Sequence, residues 1–89
     1  MEKYIVNGKL QEMQLGKGEG TVFYDPETEN THVLDDIALD IIDLFRKSMS
    51  VEEVILELTK LYDAPKETIA ADVQEFMEMA IKNQILIPA

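Results

Sequence analysis

Residues 21–38, TVFYDPETENTHVLDDIA, contain the change from strand to helix that decides the fold of this 89-residue chain. Residues 21–24 are a β-branched and aromatic run, which is typical of a strand. Pro26 and Asn30 favour a turn after it, and residues 31–34 then form a return strand. This stretch therefore predicts a β-hairpin that leads into a helix.

The residues before this stretch predict a third strand. Residues 10–15 have a weak strand pattern, and three glycines in residues 16–20 supply the positive φ angles of a turn. We therefore expect a small three-stranded antiparallel sheet. Residues 4–6 are expected to add a short strand at its edge.

From Asp35 onward the apolar period is helical. Asp35 can cap a first helix, whose apolar stripe consists of Ile37, Ala38, Ile41, Leu44 and Phe45. Ser50 and Glu53 form the capping-box pattern of a second helix that extends to residue 62. Pro65 is expected as the first residue of a third helix that ends near Asn83. Residues 85–87 form an apolar tail that should pack back on the core.

A β-rich first third and a helical remainder indicate the α+β class. Three helices against a small antiparallel sheet are the outline of a winged helix-turn-helix. At this length, residues 1–89 are expected to form a single domain, because two domains would each lack a workable core.

Composition excludes several classes of protein. The chain has 18 acidic and 8 basic residues, a net charge of −10, which opposes nucleic-acid binding. It has no cysteine and no apolar stretch long enough for a membrane span. A signal-peptide pattern is also missing, so we expect a cytoplasmic protein with no membrane partner.

Catalytic and metal-binding patterns are weak. His32 is the only histidine and has no second ligand at a metal-binding spacing. The glycines of residues 16–20 lead into a strand, whereas a phosphate-binding loop leads into a helix. Carboxylate pairs such as Asp36/Asp40 lie on polar helix faces. We therefore predict no enzyme, no cofactor and no metal site.

Three binding functions place different requirements on the residues of this chain. A carrier protein needs a serine in an Asp-Ser-Leu-like context, which Ser48 and Ser50 lack. A DNA-reading third helix needs Arg or Lys, but this helix carries Glu67, Asp72, Glu75 and Glu78. Peptide binding fits better, because a free sheet edge can accept an extended peptide through main-chain hydrogen bonds.

Four motifs follow one another along the chain: GTVFYDP (residues 20–26), THVLDDIA (31–38), the helix of residues 50–62, and DVQEFM (72–77). Their order resembles the PqqD family of precursor peptide recognition elements. Such proteins serve ribosomally synthesised and post-translationally modified peptides. Asp35 stands where the family usually has Asn, and Asn83-Gln84-Ile85 replaces a common Gly. Neither departure touches the binding groove that the family implies.

The resemblance implies that a leader peptide adds a strand in the cleft between the third strand and the third helix. Carried over residue by residue, the peptide-binding set is Thr31, His32, Val33, Leu34, Asp72, Glu75, Phe76 and Met79. Thr31 and Val33 would pair through their backbones, and Phe76 with Met79 would form an apolar wall. Asp72 and Glu75 would pair with a basic leader residue.

In the family, such a domain presents the precursor to a modifying enzyme, often a radical-SAM protein, and does no chemistry itself. The alternative is a winged-helix regulatory module that contacts a protein partner or, as a weaker variant, DNA. The sequence leaves the oligomeric state, monomer or dimer, open.

Overall fold

The computed structural model describes residues 2–16 and 18–89; Lys17, in the predicted glycine turn, lies outside them. The elements of these residues, in chain order, are β1 (Lys3–Val6), β2 (Gln11–Gln14), β3 (Thr21–Asp25), β4 (Asn30–Leu34), α1 (Asp36–Leu44), β5 (Met49–Ser50), α2 (Val51–Leu61), α3 (Lys66–Lys82) and β6 (Leu86–Pro88). The prediction of an α+β fold with a three-stranded antiparallel sheet and three helices is confirmed.

The predicted sheet has the strand order β2-β3-β4, and we call it the hairpin sheet. Val22 lies opposite Met13 on one side and Val33 on the other. Along β3, burial alternates, with Phe23 fully buried and Val22 half-buried. One face of the hairpin sheet therefore covers the core and the other faces outward, as the period of two in a strand requires.

A second three-stranded sheet has the order β5-β1-β6, and we call it the closing sheet. The expectation that residues 4–6 extend the hairpin sheet is wrong: β1 is the central strand of the closing sheet. Tyr4 lies opposite Met49 and Pro88, partners distant in sequence that local periodicity cannot identify. The apolar tail does pack back on the core, since Ile85 and Leu86 are buried.

The helix caps follow the sequence closely. The Asp35 carboxylate accepts the Ala38 N–H at 2.9 Å. Ser50 Oγ accepts the Glu53 N–H at 3.2 Å, and Glu53 Oε1 accepts the Ser50 N–H at 3.0 Å, which completes the capping box. Pro65 is not the first helical residue as expected. Its ψ of 142° is extended, so it occupies the N-cap position of α3.

One hydrophobic core joins the hairpin sheet, the closing sheet and the three helices. Its largest fully buried side chains include Phe23, Phe45, Ile42 and Leu86. Ile37 is the exception on the predicted stripe of α1, because 57% of it is exposed. In the described chain, no helix is both long and apolar enough to cross a membrane.

Candidate functional site

Strand β4 forms an edge of the hairpin sheet, because within the described residues it pairs with β3 alone. The Leu15 N–H donates to the Gly20 carbonyl at 3.1 Å, so the backbone of Gly20 points away from β4. Backbone groups of successive strand residues point to alternate sides. Phe23, three residues later, therefore directs its N–H and carbonyl toward β4.

The same alternation fixes which backbone groups of β4 are open. Phe23 lies opposite His32, so His32 and Leu34 use their backbones to pair with β3. The N–H and carbonyl groups of Thr31 and Val33 consequently point outward from the sheet. These are the two residues that the family resemblance implies for backbone pairing, and that role stays a prediction.

A groove of about 390 Å³ lies between α1 and α3. On the α3 side its walls are Asp72, Glu75, Phe76 and Met79, which are all four helical residues predicted for the site. Their spacing of i, i+3, i+4 and i+7 places them on one helix face. The structure therefore brings this half of the predicted set together.

Phe76 faces the groove and also packs against the core. It is half-buried, whereas its neighbours on the core-facing side, Val73 and Met77, are buried. Met79 is half-buried in the same way. Both side chains can therefore provide apolar surface to a ligand while remaining anchored in the protein.

The four predicted residues of β4 do not line this groove. Val33, which is 62% exposed, lines an adjoining concavity of about 490 Å³ at the sheet edge. Leu34 belongs to the core, and Thr31 is exposed on the outer face. His32 is half-buried, and its Nε2 atom has no hydrogen-bond partner among the described residues.

Residues of α1 form the wall that the sequence did not reveal. Ile37, Ala38 and Ile41 line the groove opposite α3. Asp35 lines it as well, so the expectation that this departure from the family pattern leaves the groove untouched is wrong. Asp35 and Ile37 also line the concavity at the sheet edge, so they connect the two spaces. A sequence signal is present, since Ile37 is on the apolar stripe of α1, but helical period alone does not distinguish a groove wall from the core.

The groove is acidic. Asp35, Asp72 and Glu75 are exposed at its rim, and none of the described Lys or Arg residues lines it. Within the described part of the chain, these carboxylates take no part in ion pairs, which involve Lys9, Arg46 and Lys60 elsewhere. The rim is thus available to a cationic ligand.

More negative charge lies beside Tyr62, at the end of α2. Its hydroxyl donates to Asp40. This hydrogen bond, together with burial and the charges of Asp40, Asp36 and Asp35, raises the pKa of Tyr62 to about 12. Asp35, Asp36 and Asp40 therefore all add negative charge around Tyr62.

The described residues contain no group of three or more His, Asp or Glu side chains arranged to hold a metal ion. What the arrangement offers is an open strand edge next to an apolar groove with an acidic rim. Such a surface can bind an extended chain that carries apolar and basic side chains.

Solved structures share this fold. TbiB1 in complex with the TbiA(beta) leader peptide is 16% identical, with a TM-score of 0.78 over 92% of this chain and 93% of that one. Lasso peptide synthetase B1 complexed with the leader peptide is 19% identical, with a TM-score of 0.78 over 96% of this chain and 98% of that one.

A third structure is the PqqD truncation of Methylobacterium extorquens PqqCD, described as a stand-alone recognition element. It is 21% identical, with a TM-score of 0.74 over 96% of this chain and 88% of that one. No curated protein matches this chain at a significant level. The family model for coenzyme PQQ synthesis protein D (PqqD) matches residues 20–86. The chain therefore belongs to the PqqD family.

Proposed function

We propose that this protein recognises the leader region of a ribosomally synthesised precursor peptide and presents it to a modifying enzyme, without catalysing a reaction itself. The observation that carries the proposal is the open edge of β4 beside the acidic groove of α1 and α3. Membership of the PqqD family supports it, as do leader peptides bound to two proteins of the same fold. We place this activity in the cytoplasm, where ribosomal precursors are made.

The peptide binds by strand addition. The outward backbone groups of Thr31 and Val33 pair with an extended leader, which becomes a fourth strand of the hairpin sheet. Its side chains alternate between the solvent side and the protein side. Those on the protein side face Ile37, Phe76 and Met79.

The charge of the groove selects a basic leader. Asp72 and Glu75, one turn apart on α3, pair with a Lys or Arg of the peptide. Because both carboxylates are exposed, each pair contributes little binding energy on its own, about 0.2–1 kcal/mol. Their larger effects are on the association rate and on discrimination against acidic peptides.

We interpret residues 1–89 as one winged helix-turn-helix unit that binds peptide rather than DNA. In a DNA-binding protein of this type, the recognition helix presents basic residues to the major groove. Here α3 has Glu67, Asp72, Glu75 and Glu78 on its exposed surface. These carboxylates would repel a phosphate backbone.

The test is an amide NMR titration of the full chain. The probe is a synthetic peptide covering the N-terminal half of a short open reading frame next to this gene. We expect saturable shifts at Thr31, Val33, Asp72, Glu75 and Phe76. A bound peptide that leaves both β4 and the groove face of α3 unshifted would contradict the proposal.

A pair of variants at Val33 isolates the backbone contribution. Val33→Pro removes the outward N–H, whereas Val33→Ala keeps it and only shortens an exposed side chain. We expect Val33→Pro to weaken peptide binding by about tenfold or more, because it removes a hydrogen bond and adds a steric clash. Equal affinity of the two folded variants would rule out strand addition at this position.

A further inference from the structure

A separate pocket lies next to the groove, between the three helices. Its volume is about 100 Å³. The floor is apolar and buried, and consists of Ile41, Leu58, Ile69 and Val73. Neither the sequence motifs nor strand addition at β4 accounts for this pocket.

The pocket opens toward the groove. Ile37, Ile41 and Asp72 line both spaces, so a ligand lying in the groove passes the mouth of the pocket. Ile37 is 57% exposed, and Thr68 is exposed on the α3 side of the mouth. A side chain from such a ligand can therefore enter without any movement of the core.

The size of the pocket limits which chemical groups can occupy it. A closed apolar cavity of about 150 Å³ in another protein accepts benzene. This pocket is smaller, which favours the three or four side-chain carbons of Val, Leu or Ile over the seven of Phe. Burying such a group against an apolar floor is favourable, because it removes apolar surface from water.

The charge around the mouth adds a second requirement. Asp72 lies at the mouth, and Tyr62, which forms part of the wall, is hydrogen-bonded to Asp40. Asp35 and Asp36 are close enough to act on the Tyr62 hydroxyl. None of these four carboxylates is in an ion pair within the described residues. An apolar group that carries a nearby positive charge fits this setting.

We propose that the pocket is a specificity site for a Leu, Ile or Val side chain that has a Lys or Arg close to it in the bound peptide. This inference rests on the proposed function, because the side chain belongs to the peptide in the groove. It adds a determinant separate from strand addition at Thr31 and Val33. Peptides with the same backbone pairing are then distinguished by this one position.

The first experiment tests the pocket without any peptide. Protein with labelled Ile, Leu and Val methyl groups is titrated with isoamylamine, which combines a branched aliphatic chain and a cation. Ethylamine and isoamyl alcohol each supply one of these features. We expect saturable shifts at Ile41, Ile69 and Val73, and binding about tenfold weaker for both controls.

Two leucine substitutions on α3 provide the matched control. Thr68→Leu narrows the mouth, whereas Ala71→Leu introduces the same side chain at an exposed position that does not line the pocket. We expect Thr68→Leu to abolish the isoamylamine shifts and Ala71→Leu to preserve them. Shifts that persist in Thr68→Leu, or that are no larger than those of Ile85 and Leu86, would overturn the proposal.

The second experiment uses an array of decapeptides with one Lys held fixed and one position varied among Ala, Val, Leu, Ile and Phe. We expect the Leu and Ile peptides to bind about tenfold more tightly than the Ala peptide. The Phe peptide should bind no more tightly than the Leu peptide. Thr68→Leu should remove this preference. Peptide binding with no such preference contradicts the pocket proposal alone. An array that binds nowhere contradicts the proposed function as well, whatever isoamylamine does.

Discussion

The edge strands of the two sheets of this protein differ in length and in proline content. The outer strands of the closing sheet have two and three residues, and β6 ends at a proline. The outer strands of the hairpin sheet have four and five residues and contain no proline. Short strands and proline are common protections against unwanted pairing. The hairpin sheet lacks them, and its edge strand β4 has no charged side chain.

The two sheets also differ in how much of their surface is open. The closing sheet draws together three segments distant in sequence and buries Leu86 almost completely. The hairpin sheet leaves all four residues of β2 exposed, and Met13 and Val33 are each more than 60% exposed. We therefore assign ligand binding mainly to the hairpin sheet, although its inner face, with Phe23 buried, also stabilises the fold.

The largest expected effect comes from truncating one apolar side chain in each sheet. Leu86 is 1% exposed and Met13 is 64% exposed. Leu86→Ala should lower the free energy of unfolding by about 2–5 kcal/mol, because it leaves a cavity. Met13→Ala should change it by less than about 0.5 kcal/mol. Urea denaturation measures both, and similar losses would contradict the placement of Leu86 in the core and of Met13 on an open strand.

A glycine substitution tests whether the hairpin sheet depends on one close backbone contact. Gly20 has φ of +92°, and a Cβ there would lie 2.5 Å from the Leu34 carbonyl oxygen. Gly20→Ala should lower the free energy of unfolding by about 1–3 kcal/mol, because of backbone strain, and should displace the end of β4. Gly8→Ala is the control, since a Cβ there meets no atom within 4 Å. Equal unfolding midpoints for the two variants would show that this contact relaxes freely.

The smallest effect concerns an ion pair that ties the exposed strand β2 to the end of α1. Arg46 donates two hydrogen bonds to Glu12, at 2.7 and 2.9 Å. This contact lowers the pKa of Glu12. The folded-state pKa lies below the unfolded value, so the stabilisation is present above the ordinary pKa of glutamate. It is lost as the pH falls through the lowered value.

Glu12→Gln should therefore reduce stability by less than about 1 kcal/mol at pH 7. The difference from the parent chain should begin to shrink as the pH falls below the ordinary glutamate pKa of about 4.3. Glu78→Gln, on the exposed surface of α3, is the control and should change stability by less than about 0.5 kcal/mol at pH 7. Urea midpoints measured from pH 3 to 7 provide the comparison. A difference that stays constant over this range would show that Glu12 does not act through its charge.

Local features of the fold were predictable, and distant pairings were not. The capping box of Ser50 and Glu53 depends on residues three apart, so its pattern is visible in the sequence. The partners of Tyr4 are Met49 and Pro88. No period or turn signal connects residues so far apart, and β1 was therefore assigned to the wrong sheet.

The candidate site shows the same division. The groove face of α3 follows from helical spacing together with the family resemblance. The α1 wall was missed because periodicity identifies an apolar stripe but not how much of it neighbouring elements cover. Ile37 and Ile41 are on the same stripe, yet they are 57% and 3% exposed. Only the placement of α3 across from α1 shows that the first turn of α1 faces a groove.

The closing sheet also places the two ends of the described chain side by side. The Ala89 N–H donates to the Lys3 carbonyl at 2.9 Å. Ends this close can be joined by a short linker, and the chain can be reopened at an exposed turn such as Glu27-Thr28. Circular permutation therefore offers a way to cut the β3–β4 connection while leaving every helix and the closing sheet covalently intact.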